Sequence, residues 1–151
     1  MIQKNDGFTL VELLTVLAII SILALIGIPI YVGQQVRAAR TEAYTNLQSL
    51  RLLEEQYFAE NASYVPTTGA GGPSQPGNIL LIQAVLPGFQ PGPPQNLNYS
   101  YQIVQNMQIT TTNPLAYGAL TPCFYAVATP NTGSIVVGNT FSIDCNDNKN
   151  F

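Results

Sequence analysis

The stretch "NDGFTLVELLTVLAII", residues 5–20, places one carboxylate, Glu12, in a run that is otherwise uncharged and mostly apolar after Gly7. A charged group near the centre of a helix in lipid costs roughly 2.5–3.5 kcal/mol on insertion scales, so a glutamate at this position demands a role. Downstream, the 24 residues from Leu13 to Val36 contain no Asp, Glu, Lys or Arg. At ~1.5 Å per residue a helix of that length spans the hydrocarbon core of a bilayer. One membrane segment is expected, over about residues 13–33.

A secretory signal has a basic start, an apolar middle and a small-residue cleavage site after the apolar run. Here the short polar leader "MIQKNDG" comes first and no A-x-A-like site closes the apolar stretch. Any cleavage is expected before the hydrophobic helix. The sequence "G-FTLVE" followed by an apolar helix resembles the class III signal sequence of type IV pilins and type II secretion pseudopilins. That resemblance implies a prepilin peptidase that cuts between Gly7 and Phe8 and methylates the new N-terminus at Phe8, which makes Glu12 the fifth mature residue. It also implies subunit assembly through Phe8 and Glu12. A free amine on one subunit and a carboxylate on its neighbour are each costly in apolar surroundings, and breaking a buried pair leaves an uncompensated charge. The residues alone allow a blander reading, a carboxylate that snorkels to the interface or is simply protonated.

Helical periodicity continues beyond the apolar run: Val32, Val36, Ala39, Ala43, Leu47, Leu50, Leu53 and Tyr57 recur at spacings of three and four, with Arg37, Thr41, Gln48, Arg51 and Glu55 on another face. One helix over residues 8–61 would be roughly 80 Å long. Gly27 and Pro29 are the expected helix break, because proline removes an amide donor and clashes with the carbonyl of Leu25. A mere kink is the alternative on sequence grounds. The pilin resemblance implies unwinding just before Pro29 in assembled filaments, although Ser21 stands where many pilins have a glycine.

After the helix, residues 62–98 are dense in Pro and Gly, and within them "NILLIQAVL" (78–86) reads as a helical turn or an edge strand. From 99 to 151 the pattern is one of short strands, "YSYQIVQNMQI" (99–109), "CFYAVAT" (123–129), "SIVVG" (134–138) and "TFSIDC" (140–145), separated by Gly, Pro and Asn turns. An antiparallel sheet of three or four strands covering the apolar face of the helix gives an α+β fold, and the resemblance implies the pilin version of it. Cys123 and Cys145 are spaced as one clip closing a loop rather than as a CxxC site, and they read as a structural disulfide. On the chain-entropy model such a loop contributes roughly 3–4 kcal/mol, in an oxidising compartment.

With 151 residues, 46% of them hydrophobic, there is room for one ordinary domain. Only 13 residues are charged and the net charge is −3, which gives no electrostatic case for direct nucleic-acid binding. Histidine is absent, and no base stands ready to activate the serines and threonines, so neither an enzyme nor a cofactor is expected. "DCNDN", Asp144 to Asn148, spaces oxygen ligands as calcium loops do but lacks the loop glycine and closing glutamate, and it reads as a solvated turn with no metal. The series Tyr31, Tyr44, Tyr57, Phe58 and Tyr64 reads as packing rather than as a charge-transport path.

The resemblance implies a homo-oligomeric helical filament, with prepilin peptidase and the pilus assembly machinery as partners and adhesion, twitching motility or DNA uptake as its use. A pseudopilin of type II secretion, or a minor pilin, is the alternative. The cysteine pair and the Pro/Gly-rich connection favour the pilin. Lys4 precedes the span whereas Arg37 and Arg40 follow it, so the positive-inside rule points against the orientation that the leader and the disulfide imply. The expectation is an inner-membrane protein with a periplasmic C-terminal domain before assembly and an extracellular pilus afterwards.

Overall fold

The computed structural model describes residues 8–68, 78–136 and 138–151. Two units lie along the chain, one ending at Arg37 and the other beginning at Ala38. Helix α1, Leu10–Asn61, contributes to both. In its first part every large apolar side chain from Leu10 to Val32 is exposed. The hydroxyls of this part are turned inward onto the helix itself: Thr15 donates to the carbonyls of Val11 and Glu12, and Ser21 to that of Leu17. An 18-residue window here has a mean hydropathy of 2.8, sufficient by length and composition to cross a bilayer.

From Ala39 the same helix becomes one-sided. Ala39, Ala43, Leu47, Leu50 and Glu54 are buried, at spacings of three and four. The sequence pattern carries the apolar stripe on to Leu53 and Tyr57, yet both are only half-buried, and the position enclosed in the last turns is Glu54. The helix ends as Ala62 donates to the carbonyl of Phe58 and turns to φ +53°, the left-handed cap conformation that glycine more often fills.

The buried stripe lies on a three-stranded antiparallel sheet of β1 (Tyr99–Thr112), β2 (Leu115–Pro130) and β3 (Phe141–Asp144), in the order β1-β2-β3. Register pairs Tyr101 with Ala128 with Phe141, and Ile103 with Ala126 with Ile143. Alanines in the middle strand between large side chains on both flanks leave a trough on the face turned to the helix. The Tyr44 ring meets the Phe141 ring edge-on at 4.8 Å, and Asn46 donates to the Tyr101 hydroxyl at 2.8 Å. Helix α2 (Asn78–Val85) buries Ile79 and Ile82 beside β1, which resolves "NILLIQAVL" as a helix rather than an edge strand. Phe89, just beyond it, meets Tyr101 edge-on at 5.5 Å.

Three sequence expectations for this region need correcting. β2 begins at Leu115, well before Cys123, because Pro122 does not break it: the register slips from Gln105↔Phe124 to Met107↔Ala119, and Pro122 sits in the resulting bulge, where the ladder requires no amide donor. Opposite it, Asn106 takes φ +59°. Beyond the bulge the hairpin bends so that Tyr117 stacks on Tyr125 at 4.1 Å, with its hydroxyl 2.9 Å from that of Ser142. The described residues of "SIVVG" form no strand. Ser134 instead donates to the carbonyl of Asn131 in a turn whose Gly133 has φ +81°, a conformation that suits glycine. The third is Asp144, which is buried and not part of a solvated turn.

Because Leu50 and Ala126 are both wholly buried, emptying the core at one and overfilling it at the other should each cost stability. In urea unfolding of the full chain in detergent, Leu50→Ala is expected to lose about 2–5 kcal/mol and Ala126→Leu about 1–3 kcal/mol. Wild-type midpoints in both variants would contradict this packing.

Candidate functional site

Thr9 and Glu12 form a closed set of bonds at the start of α1. The Glu12 amide donates to Thr9 Oγ1 at 3.2 Å, while Glu12 Oε2 accepts from the Thr9 amide at 3.1 Å and from its hydroxyl at 2.9 Å. This is a capping box, in which the third helical residue reaches back to the cap residue, and the carboxylate also meets the positive end of the helix dipole. The T-x-x-E spacing at Thr9 and Glu12, ahead of an apolar run, is its sequence signature. Both bonds fall on Oε2, so one oxygen of the carboxylate is held by the Thr9 amide and hydroxyl. Glu12 is the one charged residue from Phe8 to Val36, and Phe8, four positions earlier, is 86% exposed.

The remaining candidates are distributed as follows. Gly7 lies outside the described residues, as does the leader. Gly27 and Pro29 sit inside α1, which is helical on both sides of them. A side chain at Gly27 would meet nothing within 4 Å. Cys123 and Cys145 are disulfide-bonded, with Cα atoms 5.4 Å apart. The bond joins the bulge end of β2 to the residue that follows β3, and both partners belong to the unit beginning at Ala38.

Next to that disulfide, Asp144 is wholly buried rather than part of a solvated turn. Its Oδ1 accepts from the amides of Asn146 and Asn148, both at 2.9 Å; its Oδ2 accepts from the amide of Ile109 at 2.8 Å and from Asn148 Nδ2 at 3.0 Å. The oxygens spaced like a calcium loop therefore converge no ligands. The central carboxylate is filled by N–H donors whose protons point where a cation would sit. One side chain thus ties together the end of β3, the C-terminal turn and the bent-over hairpin. Asp147 at the tip, with φ +62°, pairs with Arg51 of α1 at 3.4 Å and with Lys149 at 3.5 Å. The final Phe151 stacks on Tyr44 at 4.6 Å. An Asx-turn pattern at Asp144 was visible in the sequence, but the Ile109 bond, 35 residues away, was not.

Residues 2–28 match the family model described as the prokaryotic N-terminal methylation motif, a match that takes in Gly7, Phe8 and Glu12. A stretch of 61 residues is 46% identical to the type IV major pilin protein PilA of Myxococcus xanthus (strain DK1622), covering 40% of this chain and 28% of that protein. In its N-terminal segment the chain is similar to type IV pilins. Pilins are structural proteins whose subunits assemble into filaments, and the α+β fold found here, a long N-terminal helix on a small antiparallel sheet, is of the pilin kind. The matched stretch spans little more than a quarter of the Myxococcus pilin, so what that protein does is not transferred by the match alone.

If Asp144 organises the disulfide-closed region, Asp144→Ala leaves three backbone amides without their acceptor. A loss of about 3 kcal/mol or more is expected, since each buried donor left unpaired costs ~1–3 kcal/mol. Hydrogen exchange at Ile109, Asn146 and Asn148 should accelerate before that of the β2–β3 ladder. Unchanged protection at Ile109 would show that the carboxylate does not hold the hairpin.

Proposed function

We propose that this chain is a structural subunit of a type IV pilus. Prepilin peptidase cleaves it between Gly7 and Phe8 and methylates Phe8, and the subunit then waits in the inner membrane with its C-terminal domain in the periplasm. The observation that carries the reading is the single carboxylate at the head of an exposed apolar helix, within a methylation motif. An apolar surface that the chain does not cover itself is stable in lipid or against other such helices. Helices added head to tail give open, non-closing packing and hence a filament. The Glu12 carboxylate is the acceptor for the Phe8 amine of the next subunit, a pair that desolvation makes costly to break. Adhesion, twitching motility or DNA uptake is the use of such a filament.

Proline at position 29 leaves the carbonyl of Leu25 without its helical donor, and we place the unwinding of the assembled helix around Gly27 and Pro29. In the single chain this stretch remains helical.

Two measurements test the proposal. Filaments sheared from cells should contain, by intact mass and electron microscopy, a dominant species beginning at methylated Phe8 and two hydrogens light for the disulfide. The same processed species confined to the envelope, with no surface fibre containing it, would favour the pseudopilin or minor-pilin reading instead. Glu12→Gln and Glu12→Ala separate the cap from the charge, because glutamine can still reach back to the Thr9 amide. Both variants are expected to be processed and inserted yet to yield few filaments. Normal yield from Glu12→Gln would leave capping as the residue's whole contribution and remove the pairing role.

A further inference from the structure

Glu54 is buried at the last turns of α1, and its surroundings supply less than a carboxylate needs. Oε2 accepts from the Val65 amide at 3.0 Å, while Oε1 is enclosed without a hydrogen-bond partner. Val65 opens a strap that runs along the outer edge of β1. Gln105 Nε2 donates to the Tyr64 carbonyl at 2.7 Å, and the Gln105 amide to Thr67 Oγ1 at 3.1 Å. Thr68 donates its amide to the Ile103 carbonyl at 3.0 Å and accepts from the Ile103 amide at 3.4 Å. Tyr64–Thr68 therefore covers an edge of the sheet that would otherwise present unpaired backbone groups. The strap is fastened at its head by Glu54 and by the Tyr64 ring, which lies against Phe58 at 4.5 Å and Phe124 at 4.9 Å.

We propose that Glu54 is a proton-operated latch on this strap: neutral, it lets the strap close over β1, and ionised, it favours an opening in which water reaches Oε1 and the β1 edge at Ile103 and Gln105 is uncovered. The charged form is disfavoured by geometry, since one amide donor does not replace the hydration of two carboxylate oxygens. Burial pushes the carboxyl up to about 7; the Val65 amide opposes this and the neighbouring Glu55 adds to it. The other groups that face this corner leave the titration to Glu54. Tyr64, whose hydroxyl donates to Glu55 at 3.2 Å, is pushed up to about 12 by burial and stays neutral. Arg51, one turn back, is engaged by Asp147. From β1 and β2 the strap meets Gln105 and Phe124, which carry no titratable group.

The direction follows from linkage. With the closed-state value raised above the ordinary 4.5, closure is strongest below about pH 4.5, weakens as the pH rises towards about 7 and levels off above it. The device does not depend on the pilus reading, because every group in it belongs to the unit beginning at Ala38.

The test is amide hydrogen exchange on the full chain in detergent micelles, corrected for the intrinsic pH dependence of exchange. Protection at Val65 and Thr68 is expected to fall at least tenfold between pH 5 and pH 7, since one linked proton gives up to about tenfold per pH unit, and to be flat in Glu54→Gln. A flat wild-type profile would overturn the latch. So would a slope that persists in Glu54→Gln, or one shared equally by the amides of the β2–β3 ladder. Should Glu54→Gln fail to fold, the carboxyl ¹³C titration of the wild-type chain decides. A Glu54 midpoint near 7 supports the latch, and one near 4.5 removes it.

Discussion

Helix α1 must satisfy two surroundings with one backbone, and most of the molecule follows from that constraint. Up to Val32 its large side chains are apolar and uncovered by the chain itself; from Ala39 onwards one stripe is covered by the chain's own sheet. The first part gains nothing from folding alone. It is stabilised only when lipid or neighbouring helices remove it from water. The second part is what allows the C-terminal residues to form a core, because a three-stranded sheet with one bare apolar face needs another layer against it. The trough of Ala126 and Ala128 between Tyr101, Ile103, Phe141 and Ile143 is the complement of that stripe.

Three carboxylates show how polar groups are accommodated on such a chain, and each does so differently. Glu12 stays exposed and is steadied by a reciprocal cap with Thr9, which orients it without neutralising it. Asp144 is buried and saturated, its two oxygens meeting four N–H donors, so that its charge becomes an organising centre for the C-terminal turn. Glu54 is buried with one donor and one empty oxygen. The number of donors per oxygen separates a structural hub from a group whose proton affinity responds to its surroundings. The first of the three stands at the head of the exposed apolar helix, the second in the disulfide-closed region, and the third at the strap that covers the sheet edge.

The C-terminal region draws its order from links between distant parts of the sequence. The Cys123–Cys145 bond, the Asp144 bond to Ile109, the Arg51–Asp147 pair and the Phe151 stack on Tyr44 join four separate stretches. Each is modest alone, and the exposed ion pair contributes little. Together they hold a segment with only four residues of β3 to anchor it.

What the sequence by itself determined is whatever depends on neighbours along the chain. The uncharged run after Glu12, the three-four spacing from Ala39 to Leu50, the alternation through Tyr99, Tyr101 and Ile103 and the G-FTLVE motif are local patterns, and they suffice for an α+β class and a pilin-type N-terminus. The tertiary structure decided the rest. Pro122 looked like a strand boundary until a bulge absorbed it, and the stripe expected to run on through Leu53 and Tyr57 encloses Glu54 instead. Asp144 looked like part of a solvated turn until Ile109 donated to it from another strand. In each case the physical reason is the same: burial and hydrogen-bond satisfaction are set by residues brought near in space, and no pattern within a few positions of Glu54 or Asp144 specifies which donors will arrive.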